Sequence, residues 1–251
     1  MVETVVSSAL PVDELLSIRK NRLEPDHQSG SEKRICIVTG THGDELEGQY
    51  VCYEVNRRIQ SQMENLKGIV DIYPALNPLG VDSITRGIPK FDLDMNRIFP
   101  GNKEGSMAEY IASEIVNDID GADLCIDIHS SNIFLKEIPQ VRISEETAKK
   151  LVPMAKYLNV DFIWVHSAAT VLESTLAHTM NMRGVPTLVV EMGVGMRITK
   201  AYCEQLVDGI FTLMHEEGIW DGEVTQAREP VVSTDGEVSF INAEASGVFI
   251  P

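Results

Sequence analysis

The chain has 251 residues, 43% hydrophobic and 24% charged, enough to bury the core of one large α/β domain. Its formal net charge of −17, with no basic stripe in view, excludes the usual nucleic-acid binder and docking on an anionic membrane surface. The four cysteines, Cys36, Cys52, Cys125 and Cys203, are far apart and form no C-x-x-C pair, so reduced thiols in a cytoplasmic protein are expected.

No basic-then-apolar leader opens the chain, and no apolar run reaches membrane-spanning length. Residues 1–33 read as polar and irregular, with a short helix over 12–20 and a loop over 25–33. The apolar run Ile35-Cys36-Ile37-Val38 reads as a buried strand and a helical pattern covers about 46–59. Between them lies Thr39-Gly40-Thr41-His42-Gly43-Asp44-Glu45, which brings an imidazole and a carboxylate to one strand end. Both are good zinc ligands. The same residues also suit a loop cap followed by acids at a helix N-terminus.

A second strand covers 68–76 and is stopped by Asn77-Pro78-Leu79-Gly80. Residues 81–105 lack periodicity and carry Arg86, Asp92, Asp94, Asn96 and Arg97; structureless connections of that length are usually functional. Salt bridges between these arginines and aspartates are the alternative reading. A helix is expected over 106–118, from Ile111, Ile115 and Ile119, followed by a strand over 122–129 that ends in His129. Asp127 lies two residues earlier, on the same strand face, where it can position the histidine.

Further on, 144–158 reads as a helix opened by Ser144 and an acidic turn, and 162–165 as a strand. A helix over 172–183, a strand over 187–191 ending in Glu191, and an amphipathic helix over 199–217 follow. Strands alternating with helices, and apolar on both faces, imply a three-layer α/β/α domain over 1–221. Residues 222–251 form a β-rich C-terminal segment with a hairpin expected at Asp235-Gly236. That segment reads either as the stub of a larger module or as an edge strand of the main domain.

Ligands of such sheets gather at the carboxyl ends of strands, and three of those ends carry His42 with Glu45, His129, and Glu191. Two histidines and a carboxylate make a zinc set, with Glu191 placed as a general base or as a structural carboxylate. His166, His178 and His215 have no partner at ligand spacing, and Met192 and Met196 read as packing residues.

In order along the chain, Gly40-Thr41-His42-Gly43-Asp44-Glu45, Asn77-Pro78, Asp94-Met95-Asn96-Arg97-Ile98-Phe99-Pro100-Gly101, Asp127-Ile128-His129 and Glu191-Met192-Gly193 resemble the motifs of one family. It is the succinylglutamate desuccinylase/aspartoacylase family of zinc carboxypeptidase-like hydrolases, and the resemblance covers about residues 34–217. It implies a mixed, mostly parallel central sheet and one Zn2+ per chain, held by His42, Glu45 and His129. It also implies Glu191 as the general acid/base assisting zinc-bound water, Arg86 as an oxyanion stabiliser, and Asn96 and Arg97 as holders of a substrate carboxylate. The partner so implied is a small N-acyl amino acid, deacylated by hydrolysis of its amide bond; the chain is compatible with a homo-oligomer. A carboxypeptidase acting on peptides and a non-catalytic zinc protein that binds a metabolite are the alternatives.

Met95 replaces the leucine usual in the family's motif, a volume-conserving change expected to be tolerated. Two departures bear on substrate: no arginine stands near Ser174-Thr175, leaving Arg142 and Arg183 as substitutes, and the β domain that follows the catalytic domain in the family is expected to be mostly missing.

Overall fold

The computed structural model describes residues 1–89, 91, 93–167, 172–234, 239 and 242–247. Among the described residues nine strands form a single sheet: β1 (Val2–Ala9), β2 (Leu15–Leu23), β3 (Arg34–Val38), β4 (Ile69–Tyr73), β5 (Leu124–Ser130), β6 (Glu137–Ser144), β7 (Phe162–His166), β8 (Thr187–Gly193) and β9 (Val231–Thr234). Their spatial order is β1-β2-β4-β3-β5-β8-β6-β7-β9. Pairing is antiparallel at β1–β2, β2–β4 and β6–β8, and parallel elsewhere. The helices are α1 (Glu47–Ser61), α2 (Pro78–Ser83), α3 (Met107–Ile119), α4 (Glu145–Ala155), α5 (Leu176–Met182) and α6 (Lys200–Glu216).

Strand alternation sorts the core into two layers. Ile35 and Ile37 of β3 face a cluster that includes Val51 and Val55 of α1, Leu151 of α4 and Leu206 and Ile210 of α6. Cys36 and Val38 face the opposite cluster, with Ile111 and Ile115 of α3 and Leu176 and Met180 of α5. The expected three-layer arrangement with a mixed, mostly parallel sheet is therefore present. Ser106 caps α3 in a capping box with Glu109, which fixes where that helix starts. All four cysteines are buried and free. Among the described residues no helix is long and apolar enough to cross a membrane.

The N-terminal expectation was wrong. Residues 12–20 do not form a helix; they lie in a hairpin whose turn passes through Val12 and Asp13 at positive φ. The strand pattern was masked because its inward face carries Leu16, Ile18 and a buried Lys20. The Lys20 ammonium is matched by Asp118 at 2.9 Å and Asp71 at 3.4 Å, and Asp71 also meets Arg34. β6 was not anticipated either: Val141 and Ile143 enter the core, but Arg142 and Ser144 on its other face are polar and half-buried. At the C-terminal side, β9 lies parallel to β7 as an edge strand of the main sheet. The hairpin expected at Asp235-Gly236 lies outside the described residues, as does Asp92.

Candidate metal and hydrolytic site

The loop between β3 and α1 is held against the backbone that follows β4. The Gly43 amide donates to the Thr85 carbonyl at 3.0 Å, and a Cβ on Gly43 would sit 1.9 Å from the Gly80 carbonyl carbon. Only glycine permits that approach, and it fixes where His42 and Glu45 point.

His42, Glu45 and His129 offer ligand atoms that all lie within 4.8 Å of one another. All three are buried, at 4%, 4% and 3% exposure. The Glu45 carboxylate bridges the rings, with His42 Nδ1 2.7 Å from Oε1 and His129 Nδ1 2.9 Å from Oε2. The Ser130 amide also donates to Glu45 Oε2. Each ring has a second carboxylate behind it. His42 Nε2 is 2.9 Å from Asp94 Oδ1, and His129 Nε2 is 3.2 Å from Asp127 Oδ1. The second contact lacks hydrogen-bond alignment, so its close approach is that of an ion pair rather than a directed bond.

The electrostatics follow from this crowding. Burial opposes the charge of Glu45, but the two imidazoles outweigh it and hold the carboxyl down to about 2. Burial likewise opposes a charged His129, and Asp127 with Glu45 overrides it, raising the imidazole well above its ordinary value. His42 is raised in the same sense, against its burial, by Asp94 and Glu45. Four carboxylates, Glu45, Asp94, Asp127 and Glu191, thus gather around two imidazoles and Arg86. Two histidines and a glutamate with carboxylates behind the rings are the donor set of a catalytic zinc, and a dication supplies the positive charge this cluster calls for. The residues fit the metal.

Glu191 is the register partner of His129 on the neighbouring parallel strand, so both side chains rise from the same sheet face. Its burial pushes the carboxyl up to about 7. Arg142 of β6 donates to it at 3.3 Å and holds Glu137 through two bonds of 2.9 and 3.0 Å.

Arg86 donates to Glu45 Oε1 and Asp94 Oδ2, each at 3.2 Å, and is 47% exposed. Asn96 is buried, and its Oδ1 accepts the Leu176 amide at 3.0 Å, tying this loop to the start of α5. Arg97 is exposed, with one guanidinium nitrogen bonded to the Asn96 carbonyl. Together with His42, Glu45, Asp127, His129 and Glu191, these three line one cavity of about 930 Å³. Every site residue anticipated from sequence lies on that cavity wall.

Some features of the site were not anticipated. Asp94 was noticed only as part of a polar loop, and its contact with a histidine 52 positions away had no local signal. His166 and His178 line the cavity, although their sequence spacing links them to nothing. Of the two substitute arginines, Arg142 lines the cavity, whereas Arg183 pairs with Asp120. Met192 is fully buried as expected, but Met196 is half exposed.

A family model described as the succinylglutamate desuccinylase/aspartoacylase catalytic domain matches residues 31–216. An N-alpha-acetyl-L-2,4-diaminobutyric acid deacetylase of Halomonas elongata is 25% identical over 204 residues, 79% of this chain. The chain spans 59% of that relative's length. A succinylglutamate desuccinylase/aspartoacylase from Rhodobacter sphaeroides superposes with a TM-score of 0.75 at 21% identity, covering 94% of this chain and 70% of its own. The product-bound ectoine utilization protein EutE from Ruegeria pomeroyi superposes with a TM-score of 0.78 at 21% identity, covering 91% and 70%. These superpositions establish a shared fold.

Proposed function

This chain belongs to the succinylglutamate desuccinylase/aspartoacylase family, and from that premise we propose that it is a zinc-dependent deacylase of small N-acyl amino acids. The observation that carries the reading is the convergence of His42, Glu45 and His129 within 4.8 Å, with Glu191 the sheet neighbour of His129. The deacetylase name of the Halomonas relative supports removal of an acyl group from an amino acid's nitrogen.

When bound to His42, Glu45 and His129, zinc supplies an acidified water and polarises the substrate carbonyl. Asp94 fixes the orientation of the His42 ring through its hydrogen bond, and Asp127 stands within ion-pair distance of His129. Glu191, held near 7, is matched to take a proton from water near neutrality and return it to the departing amine. Arg86 presents a guanidinium edge for the developing oxyanion, a contact whose removal costs on the order of 3 kcal/mol. Arg97 offers a fork that matches the substrate carboxylate, and Asn96, pinned to α5, keeps that loop in place.

The test is amine release from a panel of N-acetyl and N-succinyl amino acids by the zinc-supplemented protein. Hydrolysis that disappears in Glu191→Gln while the variant still binds zinc is the expected result. Inertness of the zinc-loaded protein toward the whole panel contradicts the reading.

A further inference from the structure

Glu47 is fully buried, at 0% exposure, although it is the first residue of α1 and stands two positions after Glu45. An acid at a helix start is ordinary, because the helix dipole favours it there, but that preference is met at the surface and does not call for burial. A buried carboxylate is costly unless it is paired or hydrogen-bonded. Here two backbone amides and a thiol hold it, and none of them carries charge. Oε2 accepts from the Thr199 amide at 3.0 Å and from Cys203 Sγ at 3.1 Å, and Oε1 accepts from the Val194 amide at 3.4 Å. Thr199 is the N-cap of α6, so the carboxylate also lies at the positive end of a 17-residue helix. Gly193, at φ +68°, makes room for it, since a Cβ there would overlap the Glu47 carboxylate.

The segment 194–199 that receives Glu47 also braces both stretches of chain that carry the candidate ligands. The Met196 amide donates to the Asp44 carbonyl at 2.6 Å, so Glu45 is anchored by the residue before it and by Glu47 after it. On the other side, the Gly195 amide donates to the Ser131 carbonyl at 2.8 Å, two residues beyond His129. Among the described residues, the bonds of Glu47 are the ones between this segment and the ligand-bearing stretches that a side chain makes; the others join backbone to backbone. Glu47 is therefore the point at which a substitution can release the brace.

Resting on the zinc reading above, we propose that Glu47 is a positioning residue of the metal centre. Its carboxylate clasps the start of α1 to the segment that follows β8, and so fixes the backbone from which Glu45 reaches the metal. Glu45 contacts both imidazoles, so a shift of its backbone disturbs all three ligands together. Glu191 lies two residues before Gly193 on β8, and the same clasp ties the strand of the proton-transfer residue to the metal loop.

The experiment measures zinc affinity by chelator competition, and the visible bands of the Co2+-loaded protein, for the full chain and its variants. Co2+ serves as a probe whose bands report the geometry of the ligand set. Glu47→Gln keeps the shape of the side chain but sets an NH2 group where a carboxylate oxygen accepted a bond. It should weaken zinc binding by about tenfold and shift the cobalt bands, and Glu47→Ala should weaken it by up to about 100-fold. If Glu47→Ala does not fold, the glutamine variant decides alone. Asp71→Asn, which loses a buried carboxylate far along the chain from the ligands, controls for stability and should match wild type in both readouts. A glutamine variant with wild-type affinity and bands overturns the proposal, as does a loss that Asp71→Asn shares in full. Wild-type protein that binds neither metal refutes the zinc reading and this inference with it, whereas metal-binding wild type matched by Glu47→Gln refutes this inference alone.

Discussion

Replacing Glu191 by glutamine should stabilise the metal-free protein while abolishing hydrolysis. Burial raises the Glu191 carboxyl from 4.5 to about 7 in the folded chain. The folded state therefore holds that proton more tightly than the unfolded state, and ionising the group costs folding free energy. The penalty is absent below pH 4.5, grows as pH rises toward 7, and is complete above it. A rise of this size corresponds to about 3 kcal/mol at most. Part of the gain is lost because the variant leaves Arg142 with Glu137 as its remaining carboxylate partner, so roughly 2 kcal/mol is the working expectation. For a chain of this size that amounts to a melting temperature higher by roughly 4–8 °C. Thermal melts of chelator-treated wild type and Glu191→Gln at about pH 8 and about pH 5 provide the assay, with the difference large at the higher pH and small at the lower. A variant less stable than wild type at both pH values, or a difference that does not change with pH, refutes the burial argument.

Other perturbations separate the fold from the site. Asp71→Asn removes the buried carboxylate shared by Lys20 and Arg34, but Lys20 keeps Asp118 and Arg34 keeps its carbonyl partners, so a cost of about 1–3 kcal/mol is expected in urea denaturation, with metal binding by the surviving folded protein unchanged. Asp94→Asn removes the carboxylate behind His42 and should weaken zinc affinity by about 10–100-fold in a chelator competition. Gly43→Ala drives a methyl group into the Gly80 backbone, and loss of metal affinity exceeding any loss of stability is expected from displacement of the His42 loop.

How much of this was legible in sequence depended on which side chains faced solvent, core or cavity. β3, β5 and β8 were visible because continuous apolar runs ended in His42 with Glu45, in His129 and in Glu191, marking both strand and site. β2 was read as part of a helix because a buried lysine interrupts its apolar face, and the charges that neutralise Lys20 come from β4 and α3. β6 was hidden for a related reason: one face builds the cavity with Arg142 and Ser144, so its alternation lacks apolar contrast. Asp127 could be placed because it shares a strand with His129, whereas the pairing of Asp94 with His42 exists only after folding. The cavity histidines His166 and His178 come from β7 and α5 and line one cavity only after folding.

The central claim is that His42, Glu45 and His129 form a zinc site. Its most direct test is the zinc content of the chelator-stripped, zinc-reconstituted and desalted protein, measured by plasma emission alongside Glu45→Ala. The account predicts about one zinc per chain in the wild type and near none in the variant. Wild-type protein that retains no zinc with all three ligands intact, or a Glu45→Ala variant that retains as much as wild type, would contradict it.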